Sequence, residues 1–233
     1  MNIDDFSDQA VIFKEPPVFI EEQITPQNPG NYYQQTYPDI DEYDRTGVMD
    51  ELKEFLFEGS DQEFDNEIET RFDMANIIDW HLLLLLSNNN DGVLKNFYLY
   101  KTDNASPFRI APWDYDHSFG RDGDNELNLL DRVVNPERSI LFIRLMERSW
   151  YKERLKARWA ELNEQGLFAL DHLIERVAVY DEIIEPHTKD NFERWSVDSP
   201  WYYDDNDYEQ EVNIFIQYLE LRHPDLQEYI DQL

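Results

Sequence analysis

Asp91, Asn96, Asp114 and Asp116 stand at spacings that suit metal and phosphate chemistry. Asp91 precedes Asn96 by five positions, and only Tyr115 separates Asp114 from Asp116. Carboxylate and amide oxygens are the hard donors that Mg²⁺ prefers, and Mg²⁺ in turn holds a phosphate chain. Two carboxylates so close repel each other unless a cation or guanidinium compensates, so Asp114 and Asp116 together point to metal. Each residue also has a plainer reading. The run Asn88-Asn89-Asn90-Asp91-Gly92 suits a helix end, because Asn and Asp tolerate left-handed backbone. Asp116 can cap a helix while Trp113 and Tyr115 pack.

These residues need elements to bring them together, and the flanking sequence supplies candidates. Asp73 is an N-cap for a helix from Met74 to Leu86 that is apolar nearly all round, which predicts a central position. Phe97-Tyr98-Leu99-Tyr100 and Phe108-Arg109-Ile110-Ala111 read as two strands joined by a turn from Thr102 to Pro107. Such a hairpin returns Asp114 towards Asp91 and Asn96. Val48, Leu52, Phe55 and Leu56 predict a helix stopped by Gly59, and a short helical piece follows around Phe64 to Ile68.

Beyond the hairpin the sequence is helical. Ser139 caps Ile140 to Arg148, Tyr151 to Asn163 follows, and Leu167 to about Pro186 makes a third helix. Tyr208 to Arg222 and a last helix opening at Pro224 close the chain. Residues 1–45 are acidic and proline-punctuated, with one candidate strand at Ala10 to Lys14 that Pro16-Pro17 ends. The expected organisation is an irregular, extended segment over 1–45 and one domain over 46–233. The fold class is α+β, mostly helical, around a central β-hairpin.

Composition narrows the function. Fifty-one Asp and Glu against 20 Lys and Arg give a net charge of −31, which argues against nucleic acid and for cationic partners or metal ions. The bases cluster between Arg132 and Arg158, where pairing with acids along each helix is the expected use. With no cysteine there is no disulfide framework. Met-Asn-Ile-Asp-Asp-Phe has neither the basic nor the apolar run of a signal peptide, and the apolar run Leu82 to Leu86 is too short to span a bilayer. No membrane partner is expected, and the oligomeric state stays open.

The stretch from Asn90 to Gly120 also carries a family resemblance. Asn90-Asp91-Gly92, the strand Lys95-Asn96-Phe97-Tyr98-Leu99-Tyr100 and the run Pro112-Trp113-Asp114-Tyr115-Asp116-His117-Ser118-Phe119-Gly120 resemble the CotH family of spore coat protein H-like atypical protein kinases. The likeness is sharp over residues 73–128, looser beyond and faint before. It implies a domain like the helical C-terminal lobe of a kinase, with ATP and Mg²⁺ as cofactors. Asp91 is then the catalytic base, Asn96 and Asp114 are metal ligands, Asp116 is a second ligand or an orienting group, and Lys95 lies with Asn96 at the nucleotide. The implied reaction is transfer of the ATP γ-phosphoryl to Ser or Thr of a protein. An acidic surface suits a basic, Ser-rich substrate.

The sequence departs from the kinase pattern in front. The residues before 73 hold no glycine-rich phosphate loop, and Lys14 is a poor candidate for the phosphate-binding lysine. A non-catalytic structural or interaction module of the same fold is therefore the alternative, and a metal-dependent phosphoesterase a third reading. The expected location is the cytoplasm or a spore coat, with secretion also compatible.

Overall fold

Among the described residues, four antiparallel strands and seven α-helices make up the body. The structure is a computed structural model that describes residues 9–21, 32–89, 91–120, 139–195 and 206–233, with Asp91 described by its backbone alone. Strands β1 (Val11–Lys14) and β2 (Gln35–Tyr37) precede helices α1 (Gly47–Glu58), α2 (Asp61–Arg71) and α3 (Met74–Ser87). A short 3₁₀ turn (Asp91–Val93) leads to the hairpin β3 (Phe97–Lys101) and β4 (Arg109–Pro112). Helices α4 (Ile140–Met146), α5 (Ser149–Glu164), α6 (Leu170–Arg194) and α7 (Tyr208–Gln232) follow. The result is the expected α+β, mostly helical architecture.

The sheet runs β2-β1-β3-β4, so the expected hairpin forms one half and the expected N-terminal strand joins it in the middle. Phe13 faces Leu99 across one ladder, and Leu99 faces Ile110 across the next. These three side chains are buried in one row, which is what period-two alternation produces on a half-buried sheet. β2 was not legible in the sequence; its three residues show no alternation. Pro16-Pro17 does end β1, but the chain does not then stay on the surface. Val18 and Phe19 are buried, and the Phe19 ring packs against Phe72, Trp80 and Phe97.

α3 is the central helix, with ten of its fourteen residues buried. The Asp73 carboxylate caps it by accepting from Asn76 N at 3.2 Å. Asn76 then plays the part of a neighbouring strand: its amide donates to Ile110 O at 3.0 Å and accepts from Ile110 N at 2.6 Å. The open edge of β4 is thereby satisfied by a helix. α2 joins the same seam, since Phe108 N donates to Arg71 O and Asp73 N to Phe108 O.

Two helices run further than their prolines predict. α6 continues through Pro186 to Arg194, and α7 is one helix through Pro224 rather than two. Both prolines, and the residues four before them, lie on exposed faces, so water satisfies the carbonyls that lose an N–H partner. The basic cluster also behaves differently from expectation. Arg144 and Arg148 reach across to Asp61 on α2, Arg148 also to Asp65, and Arg158 to Asp79 on α3. Among the described residues of that region, only Arg158–Glu161 is a pair along its own helix. The arginines therefore join helices, and the Arg148 guanidinium holds the Asp61 carboxyl below its usual range.

His81 is fully enclosed in this core, stacked 4.2 Å from Phe142 and with Nδ1 2.9 Å from the Tyr151 hydroxyl. Burial pulls its pKa from 6.5 down to about 3. The unfolded chain therefore takes a proton below pH 6.5 that the folded chain refuses. The stabilisation is complete above that pH and is lost as pH falls towards 3. At pH 5 the loss amounts to roughly 2 kcal/mol. Urea unfolding at pH 7 and pH 5 should show this extra drop in the native protein and not in His81→Phe. An equal drop in both would mean that His81 is not held neutral.

Candidate functional site

The C-terminal end of α3 lies in the core, where its last four carbonyls have no partners within the helix. Each is met from elsewhere. Asn88 N donates to Leu84 O at 2.9 Å, and left-handed backbone at Asn88 (φ 54°) then turns the chain out of the helix. The Arg222 guanidinium donates to Leu85 O through Nε at 2.7 Å and through a second nitrogen. The Tyr218 hydroxyl donates to Leu86 O at 2.8 Å, and Phe119 N to Ser87 O at 2.6 Å. A buried guanidinium at the negative end of a helix is also favoured by the helix dipole.

The turn carrying Asp91 is wedged directly beyond this end. Gly92 N donates to the Asn89 side chain at 2.8 Å, and Asn89 is fully buried. A Cβ on Gly92 would stand 2.6 Å from Leu84 Cδ2, 3.1 Å from Asn89 Cγ and 3.2 Å from the Tyr115 hydroxyl. Glycine is thus required by packing: the Asp91 turn is pressed between α3 and the segment around Asp114. Burial raises the Tyr115 hydroxyl well above its ordinary pKa, so it stands there as a neutral phenol. The Trp80 side chain tempers that rise without meeting hydrogen-bond geometry.

Asn96 and Asp114 sit at the adjoining end of the sheet. Phe97 pairs with Pro112, so the next positions outward are Asn96 and Trp113, and Trp113 N donates to Asn96 O at 2.9 Å. Asp114 is one residue further. Both Asn96 (φ 63°) and Asp114 (φ 57°) adopt left-handed backbone, which turns the chain sharply where β3 begins and β4 has ended. Strained positions of this kind gather at functional sites.

The structure thus brings together the turn of Asp91, Asn96 and Asp114. Asn96 is buried, and its side-chain amide has no hydrogen-bond partner among the described residues, which leaves its oxygen open to a ligand. Asp114 is exposed. Asp116 is exposed too, and its carboxylate lies 3.6 Å from His117 Nε2 rather than against Asp114. Lys95 is exposed on the turn before β3. Among the described residues no three His, Asp or Glu side chains cluster closely enough to hold a metal. At this end of the sheet stand one amide, Asn96, and one exposed carboxylate, Asp114. Arg121, which from the sequence could reach a phosphate, and Asp122, Asp124 and Glu126, which read as a solvated acidic turn, lie outside the described residues.

Two residues join the site that sequence reasoning passed over. The Glu15 carboxylate accepts from Asn96 N at 3.0 Å, and Glu15 N donates to Phe97 O. Lys14, set aside above as a phosphate-binding lysine, holds its ammonium 5.9 Å from the centre of the exposed Trp113 ring. Nothing local could reveal either placement. It follows from β1 pairing with β3, where Lys14 faces Tyr98 across more than eighty residues of sequence.

Two substitutions test this construction. Tyr218→Phe keeps the ring packed on Phe119 and removes the donor to Leu86 O, at an expected cost of about 1–2 kcal/mol in thermal or urea unfolding. Gly92→Ala should cost about 1–3 kcal/mol by overpacking. It should also displace the Asp91 turn, read as shifted amide resonances at Asn89 and Tyr115. Unchanged stability in both would mean the turn is not held as described.

Comparison with known proteins bears on the family of the chain. Inner spore coat protein H of Bacillus subtilis (strain 168) is 24% identical over 177 residues, covering 73% of this chain and 45% of that protein. The chain thus spans less than half the length of this curated relative. The family described as CotH kinase protein matches residues 8–226, well beyond the sharp stretch at 73–128 and including β1 and β2. By that match, which runs almost from end to end, the chain belongs to the CotH kinase protein family.

Proposed function

We propose that this chain is an atypical protein kinase that transfers the γ-phosphoryl of ATP to Ser or Thr of a protein. The observation that supports it most is the Trp113 N–Asn96 O bond, which ties the backbone of Asn96 to the residue before Asp114, while Tyr115, the residue after it, packs near Gly92 of the Asp91 turn. The Asn96 amide and Asp114 carboxylate oxygens fit Mg²⁺, which would supply positive charge to offset that of a phosphate chain. In this reading Asn96 and Asp114 hold the metal, and Asp116 is a second ligand or orients its neighbours. Asp91 accepts the hydroxyl proton as the Ser or Thr oxygen bonds to phosphorus and the bond from phosphorus to the ADP oxygen breaks. Lys95, and Lys14 beside Trp113, supply positive charge for the phosphates.

The substrate is then a basic, Ser-rich protein, by complementarity with a chain of net charge −31. The similar protein is named for the inner spore coat, and we extend that setting to this one. One observation favours a second reading, a non-catalytic module of the same fold. The β1–β2 connection carries a single glycine, Gly30, where kinases cover phosphates with a glycine-rich loop.

Calorimetric titration with ATP and Mg²⁺ separates the two. The kinase reading expects micromolar binding that Asp114→Ala abolishes, and Mg²⁺-dependent phosphorylation of a basic Ser-rich peptide that falls by a hundredfold or more in Asp114→Asn. Full activity in Asp114→Asn would overturn the assignment of that residue. Absence of nucleotide binding by the native chain would favour the module.

A further inference from the structure

We propose that the groove between α6 and α7 docks a basic, amphipathic segment of a partner protein, which on the kinase reading above is the substrate. α6 is the anomaly that leads there: its 25 residues include none that is buried. Tyr180 and Ile183 are each 60% exposed and Ile184 48%, a larger apolar face than a finished surface helix shows. Helix α7 is different, since Tyr218, Leu219, Arg222, Leu226 and Ile230 are buried. α6 is therefore carried on α7, which is itself fixed to the end of α3.

Between the two helices lies a cleft of about 520 Å³ whose floor includes Val177, Ile184, Val212 and Phe215. A second cleft of about 820 Å³ shares Asp181, Tyr208 and Val212 with it, so the two form one long groove. Its charged lining is Asp181, Glu185, Asp207, Glu209 and Glu211 against Arg176 and Lys189. An apolar floor with carboxylates in excess is complementary to a helix bearing Leu-type residues on one face and Lys or Arg beside them. A second copy of this chain would bring the same carboxylates against themselves, on a body of net charge −31. The basic partner is the occupant that this charge selects.

The position of the groove gives it a role. Phe119 lines its inner end, and Phe119 N is the donor to Ser87 O beside the Asp91 turn. A segment held in the groove is thus tethered next to Asp114–Asp116, which raises the local concentration of whatever is attached to it.

The test uses a helical peptide of about 18 residues, roughly 27 Å long, made of Lys, Ala and regularly spaced Leu, without Ser or Thr. It is titrated into the full chain by fluorescence anisotropy at physiological salt, without nucleotide. Micromolar binding is expected, at least tenfold weaker for a scrambled peptide of identical composition. It should also be at least tenfold weaker in Tyr180→Ser/Ile184→Ser and in Glu185→Lys/Glu209→Lys, whose circular dichroism should match the native chain. Equal binding of the scrambled peptide, or binding unaffected by Tyr180→Ser/Ile184→Ser, overturns the proposal in favour of unspecific charge attraction. A dimer in sedimentation that the same double variant abolishes, with no peptide bound, overturns it in favour of self-association.

The peptide carries no phosphate acceptor, so this result is independent of catalysis. Specific peptide binding without any ATP binding would support the groove and sink the kinase reading. Where phosphorylation is seen, fusing the peptide to a Ser-containing substrate should lower KM at least tenfold with kcat unchanged. The groove variants should remove that gain.

Discussion

The structure depends on how one buried helix ends. An α-helix that stops in the core leaves four carbonyls away from water, each costing about 1–3 kcal/mol if unmet. At the end of α3 they are met by four different groups: Asn88 N, the Arg222 guanidinium, the Tyr218 hydroxyl and Phe119 N. Two come from α7, 132 or more residues later in the chain, and one comes from the loop after β4. Satisfying the helix therefore fixes two distant segments, α7 and the loop after β4, at one point. The Phe119 ring packs 4.8 Å from Phe215, and Gly120, at φ +89°, passes where a side chain would press on Tyr218. The Phe-Gly pair that ends the Trp-Asp-Tyr-Asp run thus acts as an anchor for the loop that carries Asp114.

A second constraint acts from the sheet side. β3 and β4 hold Asn96 and Trp113 opposite each other because the register fixes Phe97 against Pro112. β1, antiparallel to β3, adds the Glu15 carboxylate to the backbone N–H of Asn96. The two constraints meet at the Asp91 turn, with α3 on one side and Tyr115 on the other. Two rigid elements approached from opposite directions place side chains more closely than a loop alone can. The left-handed residues Asn88, Asn96 and Asp114 are the corners that let three short connections reach the same place.

How much of this was legible follows from the range of each interaction. α3, its Asp73 cap and the hairpin strands are set by local periodicity and capping, and they appear close to where the sequence puts them. The Ser139 cap is equally local, accepting from Phe142 N. β2 and the positions of Lys14 and Glu15 depend on pairing with distant strands, which no window of sequence encodes. The two helix-internal prolines mislead for another reason. A proline rule assumes that the lost hydrogen bond matters, and on an exposed face water replaces it. For the site, the polar spacing Asp91–Asn96 and Asp114–Asp116 drew attention to the right stretch, but the separation of roles within it is structural. Asn96 is buried at the start of β3, while Asp116 lies exposed beside His117.

Charge organisation ties the core to the surface. Arg144 and Arg148 stack on the Phe64 ring while reaching Asp61, and Arg222 is buried against backbone carbonyls. Arg154 pairs with Glu69, and Arg158 with both Asp79 and Glu161. Arginine suits these joints because its planar fork makes several hydrogen bonds while its stem and face pack. Each cation used in this way is turned towards the protein's own helices. Most of the 51 carboxylates lack such partners, since there are only 20 Lys and Arg in all. The field outside is consequently negative over ranges near the Debye length, about 8 Å at physiological salt. That field draws basic chains in and repels acidic ones before any contact forms. The proposed preference for a basic partner thus begins with how the helices are joined, since the arginines that join them are paired with the protein's own carboxylates.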